Sequence, residues 1–138
     1  MEILYVFAGG ALGALFRYIF LLEFKSYPMN VLGVLIVNML GCFIIGLVSY
    51  LAVKRFRILS SNMKNFLIAG FAGGFTTFSA FTHPVLEMLF MHHYIYGFLN
   101  LFISVIAGLI FVAWGMNFGY YAMVYLIKTR KLYYKRNY

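Results

Sequence analysis

The sequence predicts an all-α integral membrane domain of four spans, with the third span broken near its middle. Three observations carry that expectation. Hydrophobic residues make up 64% of the 138 positions and charged residues only 10%, far from the balance of a soluble domain. Four apolar runs, 3–22, 29–53, 66–91 and 94–127, each reach the roughly 20 residues that a helix needs to cross a bilayer. Inside the third run, residues 70–81 read GFAGGFTTFSAF, a cluster of glycines and hydroxyls followed by His83-Pro84. Irregular backbone at bilayer depth is tolerated only where it is buried in protein or lines a wet cavity, so this stretch is the candidate site.

The first span, 3–22, carries Gly9, Gly10, Gly13 and Ala14, small residues that let another helix approach closely. Met1-Glu2 lacks a basic leader region and the run has the length of a full span, so it reads as a span rather than a cleaved signal. Arg17 lies within snorkelling reach of the outer end, where an interfacial or salt-bridge role competes with a functional one. Pro28 precedes the second span, 30–53, at a point where a missing N–H costs little. That span holds Gly33, Asn38, Gly41 and Gly46. Asn38 is too deep to snorkel, and a helix–helix hydrogen bond is the plain alternative to a functional amide. Cys42 is the only cysteine, which excludes an intrachain disulfide and suits a small apolar packing role.

In the third span, 66–91, Thr76, Thr77 and Ser79 can bond carbonyls freed by a break. Taken alone, Phe78 and Phe81 are as readily core as site. His83 is expected to satisfy backbone near Pro84, because no second metal ligand stands at helical spacing. Glu87 either pairs across a helix interface or faces the outer water. The fourth span, 95–119, aligns Asn100, Ser104 and Gly108 on one helix face at spacing four. Trp114, Tyr120, Tyr121 and Tyr125 follow as an interfacial aromatic belt ahead of a basic tail, 128–138. The whole chain is one membrane domain, 1–138.

The formal net charge of +8 is unevenly placed. Lys54, Arg55, Arg57 and Lys64 fill the loop after span two, and Lys128, Arg130, Lys131, Lys135 and Arg136 fill the tail. With four spans those nine share one side. The other side holds Lys25, offset by Glu23, with His92 and His93. The positive-inside rule then places both termini in the cytoplasm of a cell-membrane protein. Such clusters suit anionic lipid rather than nucleic acid.

Catalytic chemistry finds no support: there is no paired-carboxylate arrangement, no plausible triad and no phosphate-cradling Gly-rich loop ending in Lys and Ser/Thr. A proton-coupled small multidrug exporter would need a carboxylate in the middle of its first span, whereas Glu2 and Glu23 stand at the ends. A non-transporting scaffold would leave the Gly-Gly-x-Thr-Thr break and Asn38 unexplained.

The segments GGALGALFRY (9–18), NMLGCFIIG (38–46) and GFAGGFTTFSAF (70–81) resemble the three signatures of the Fluc/CrcB fluoride channels, and the resemblance covers essentially the whole chain. It implies a channel of two subunits inserted in opposite orientations and crossing at their broken third helices. Such a channel passively exports cytoplasmic fluoride that entered as hydrofluoric acid. By motif position, Asn38 is the pore-facing amide and Phe78 and Phe81 present ring edges to the ion. Thr77 and Ser79 lie beside the path, Ser104 with Asn100 forms the polar face of span four, and Arg17 lies near the pore entrance. A structural Na+ would be held by the backbone carbonyls of Gly73 and Thr76. Ala80 stands where the family commonly has Thr, and Gly108 adds no hydroxyl, so both thin the polar lining. The nine-to-one charge bias further suggests one half of a heterodimer with a related, oppositely oriented subunit, in which this chain either conducts or serves as a structural, non-conducting partner.

Overall fold

A computed structural model describes residues 2–25, 29–52 and 59–137, and it is helical throughout with no strand among them. Pro28 and the basic residues Lys54, Arg55 and Arg57 lie outside the described residues. Among the described residues, three helices are long and apolar enough to cross a membrane: Glu2–Leu22, Val31–Leu51 and Tyr94–Lys128. In chain order we name α1 (Glu2–Leu22), α2 (Met29–Leu51), α3 (Ser61–Asn65), α4 (Ser79–Phe90) and α5 (Tyr94–Asn137).

Between α3 and α4 the chain does not run as one regular helix. Ser60 caps α3 by accepting a hydrogen bond from the Met63 N–H at 3.2 Å. The helix continues past Asn65 as a π-helical stretch, Phe66–Ala72, where the Gly73 N–H reaches back five residues to the Ile68 carbonyl. Such wider turns are rare and concentrate at functional sites. One α-helical turn, Gly73–Phe75, closes the segment before Thr76 turns extended, with φ −76° and ψ 157°. Helix resumes at Ser79. Within 70–81 the backbone departs from regular α-helix at 70–72, the end of the π-helical stretch, and again at the three residues 76–78.

Glycines set how these pieces pack. A Cβ on Gly9 would strike the Phe66 carbonyl, on Gly13 the Phe71 carbonyl and on Gly74 the Gly10 carbonyl. The Gly9–Phe66 and Gly13–Phe71 contacts advance together along the two segments, so α1 lies parallel to the stretch from α3 to Phe75, backbone against backbone. Gly46 abuts Val112 and Gly115 abuts Phe43, and the contacts of Gly108 with Cys42 and of Gly119 with Tyr50 advance together, so α2 runs parallel to α5. On α2, Gly41 leaves room for the Thr76 methyl group. Buried apolar side chains are few, with Val34, Val37, Met39 and Val48 of α2 joined by Ala72, Phe75 and Val85. Outward faces instead carry large apolar residues such as Phe7, Phe102 and Leu109. That inversion suits lipid and partner contact rather than water.

The tail foreseen at 128–138 is a continuation of α5, which extends unbroken to Asn137. Neither proline nor glycine interrupts it after Gly119, so nothing local stops the helix.

Candidate functional site

The break is pinned from two sides. From α2, the Asn38 carboxamide makes two bonds to the backbone of Thr77: it accepts from the Thr77 N–H at 2.9 Å and donates from Nδ2 to the Thr77 carbonyl at 3.2 Å. From α1, Arg17 Nη1 donates to the Thr76 carbonyl at 3.2 Å. These bonds satisfy main-chain groups that lost helical partners, which is the condition for a break away from water. Arg17 therefore reaches inward to backbone rather than outward to an interface.

Local hydroxyls complete the accounting. Thr76 Oγ1 donates to the Ala72 carbonyl at 2.9 Å, and Thr77 Oγ1 accepts from the Ala80 N–H at 3.3 Å. The Thr77 and Ser79 hydroxyls lie 3.2 Å apart. Thr82 Oγ1 donates to the carbonyls of Phe78 and Ser79, both at 3.2 Å. Thr77 thus acts as a cap for the start of α4 as well as the partner of Asn38.

Beside the break lies an open cavity of about 400 Å³. Of the residues singled out in the sequence, Asn38, Thr76, Thr77, Phe78, Phe81 and Ser104 line it, together with Gly108. The Phe78 and Phe81 rings sit 6.0 Å apart, tilted by 54°. Asn38 carries two N–H donors, one of which is bonded to the Thr77 carbonyl. Asn100 lies in an adjoining crevice with Ala80, Phe81, Pro84 and Ser104, and the Ser104 hydroxyl donates to Asn100 Oδ1 at 3.4 Å. Arg17, Ser79 and Asn100 are not among the residues lining the main cavity. Among the described residues, no Lys, Arg, Asp or Glu lines it, so its polar groups are dipoles rather than fixed charges.

Cys42 also lines this cavity, a contribution that its assignment to packing missed. Its position four residues after Asn38 on the same helix face was the available signal. Gly108 stands against it, since a Cβ there would meet Cys42 Sγ at 3.4 Å. On α4, His83 Nδ1 and Glu87 Oε1 stand 3.7 Å apart on one exposed face, so these two residues pair along their own helix. Among the described residues, no group of three His, Cys, Asp or Glu side chains could hold a metal.

The donors expected for sodium are of another kind, neutral main-chain oxygens. Their chemistry fits a hard cation. Thr76 is extended, so its carbonyl has left the helical ladder, and Arg17 occupies one of its two acceptor positions. Gly73 is exposed on the single chain and accessible to a neighbour. Both lie at the C-terminal end of the half-helix, where unpaired carbonyls favour a cation.

Comparison with known proteins bears on this geometry. The model of a family described as CrcB-like protein, Camphor Resistance (CrcB), matches residues 4–116. A protein of Prosthecochloris aestuarii named Fluoride-specific ion channel FluC is 36% identical over 115 residues, covering 83% of this chain and 89% of that one. Proteins of the same name are similar at 42% identity over 126 residues in Dehalococcoides mccartyi, covering 86% of this chain and 92% of theirs. One from Leptospira interrogans is 38% identical over 117 residues, covering 83% and 91%. These names describe ion channels and not enzymes.

Proposed function

The chain belongs to the CrcB family, and we propose that it forms a fluoride-selective channel that passively carries cytoplasmic fluoride out across the cell membrane and so lowers its toxicity. The cavity at the break, with Asn38, Phe78 and Phe81 on its wall, is the observation that carries this reading. An aromatic ring is positive at its edge, so Phe78 and Phe81 can attract a small anion edge-on. The remaining Asn38 N–H adds a donor without a full charge. Conduction needs binding that is favourable yet easily released, which such dipoles supply better than a fixed cation. Ser104 and Thr77 extend the polar wall, with Ser79 beside the Thr77 hydroxyl, Asn100 orienting the Ser104 hydroxyl and Arg17 holding the break in place.

In the membrane, α3 and α4 with the segment between them form the remaining span, broken at 76–78, and the channel is completed by a second subunit in inverted orientation. Phe78 supports the need for a partner: it is 78% exposed on the single chain while flanking a polar break. A face of that kind suits neither lipid nor water, and a facing subunit would bury it. The charge bias favours a heterodimer with a paralogue, both termini of this chain being cytoplasmic. A resident sodium ion, held by the Gly73 and Thr76 carbonyls of both subunits, would offset the cost of burying unpaired main-chain oxygens.

Fluoride tolerance tests the reading directly. In cells lacking their own fluoride exporter, expression of the chain with an oppositely oriented family member restores growth on fluoride, and Phe81→Ile abolishes the rescue. Equal growth of the Phe81→Ile strain, with both proteins in the membrane, overturns it.

A further inference from the structure

Resting on the resident sodium ion inferred above, we propose that Arg17 sets the strength of that cation site: its guanidinium shares the Thr76 carbonyl with the ion and weakens the ion's binding.

The Thr76 carbonyl is where the two cations meet. Both donors of Thr76 turn back into the half-helix, its N–H and its Oγ1 each bonding the Ala72 carbonyl at 2.9 Å. The residue itself is extended, so its own carbonyl leaves the helical ladder. Arg17 Nη1 donates to that oxygen at 3.2 Å. A carbonyl oxygen accepts at two positions, so one is taken by the guanidinium and one stays open. The bond also keeps the oxygen partnered on the single chain, independently of any ion.

Nothing on the chain neutralises Arg17. The sequence has three acidic residues, Glu2, Glu23 and Glu87. Glu2 opens α1, Glu23 follows its end, and Glu87 stands 3.7 Å from His83 on α4. Among the described residues, no carboxylate pairs with Arg17. Its side chain is half-buried, where water and salt screen a charge less than at the surface. A cation on the open position of the same oxygen therefore meets a full, unneutralised like charge. It also shares an acceptor whose electron density the guanidinium already draws on. Both effects lower affinity, and neither requires Arg17 to touch the ion.

Titrating sodium against the thermal midpoint, with choline holding ionic strength constant, reads the dissociation constant without any fluoride measurement. The sample is the full-length chain assembled with an oppositely oriented family member. R17Q keeps an N–H donor and drops the charge, so it should bind sodium about tenfold more tightly than wild type. R17K keeps both charge and donor, so its affinity should stay within about threefold of wild type. A merely structural Arg17 would weaken sodium binding in both variants. That result, or R17Q no tighter than wild type, would overturn the proposal while leaving the sodium site in place. A wild-type midpoint with no saturable response to sodium would remove the site itself, and the proposal with it.

Discussion

Asn38 and Thr77, 39 positions apart, clasp each other through a reciprocal pair of hydrogen bonds, 2.9 Å into Asn38 Oδ1 and 3.2 Å out of Nδ2. A side-chain amide here stands in for the neighbouring backbone that Thr77 lost when the helix broke. The clasp holds Phe78 beside Asn38 on the cavity wall, so one residue both satisfies the break and faces the cavity.

Replacing that amide separates the two roles. Asn38→Ala leaves both Thr77 groups without this partner and should cost about 1–3 kcal/mol, read as a lower thermal midpoint in detergent. Asn38→Asp can still accept from the Thr77 N–H but cannot donate to its carbonyl. It also places a negative charge on the cavity wall, so fluoride flux should fall further than stability does. Normal flux through Asn38→Asp would remove the amide from the path.

The phenylalanines should behave differently. Phe78→Ile and Phe81→Ile keep apolar bulk but lose the positive ring edge, so the protein should assemble normally while fluoride flux drops roughly tenfold. Size-exclusion chromatography and a fluoride electrode read the two effects separately. Loss of assembly with unchanged flux per channel would make the rings packing elements only.

Two glycines offer a paired comparison. Gly46→Ala drives a methyl group into the Val112 carbonyl and should destabilise by about 1–3 kcal/mol. Gly108→Ala meets only Cys42 Sγ at 3.4 Å and should be nearly neutral. By the same geometry Gly108→Ser fits and adds a hydroxyl to the cavity. Thermal scans of the three variants check the order.

Sodium dependence follows from the carbonyl pair. A site at Gly73 and Thr76 predicts that exchanging sodium for a bulky organic cation lowers the thermal midpoint, and that sodium restores it saturably. At a hundred times the dissociation constant the gain is about 2.7 kcal/mol. A midpoint indifferent to sodium would dismiss the ion.

Much of this arrangement is legible in the residues themselves. Apolar runs mark α1, α2 and α5 because a spanning segment must be long and nearly free of charge. Gly73-Gly74 followed by Thr76-Thr77 marks the interruption, since those residues weaken helix and supply their own acceptors and donors. Pairings across the fold are less visible. Nothing near Asn38 announces that its partner is the backbone of Thr77, because any residue has a backbone to offer and only packing brings this one within reach. The inward turn of Arg17 is hidden for the same reason, as its long side chain could equally have reached the interface. The π-helical stretch from Phe66 to Ala72 leaves no signature either, arising where the half-helix lies against the glycines of α1.

The most direct measurement is ion efflux from liposomes containing this chain, alone and with an oppositely oriented family member, read by fluoride and chloride electrodes. Rapid fluoride release with chloride retained, lost on Phe81→Ile, is the expected result. Release confined to the paired vesicles would further identify the chain as half of a heterodimer. Fluoride retained in both preparations, or chloride released as fast as fluoride, would contradict the assignment of the cavity at the break as a fluoride path.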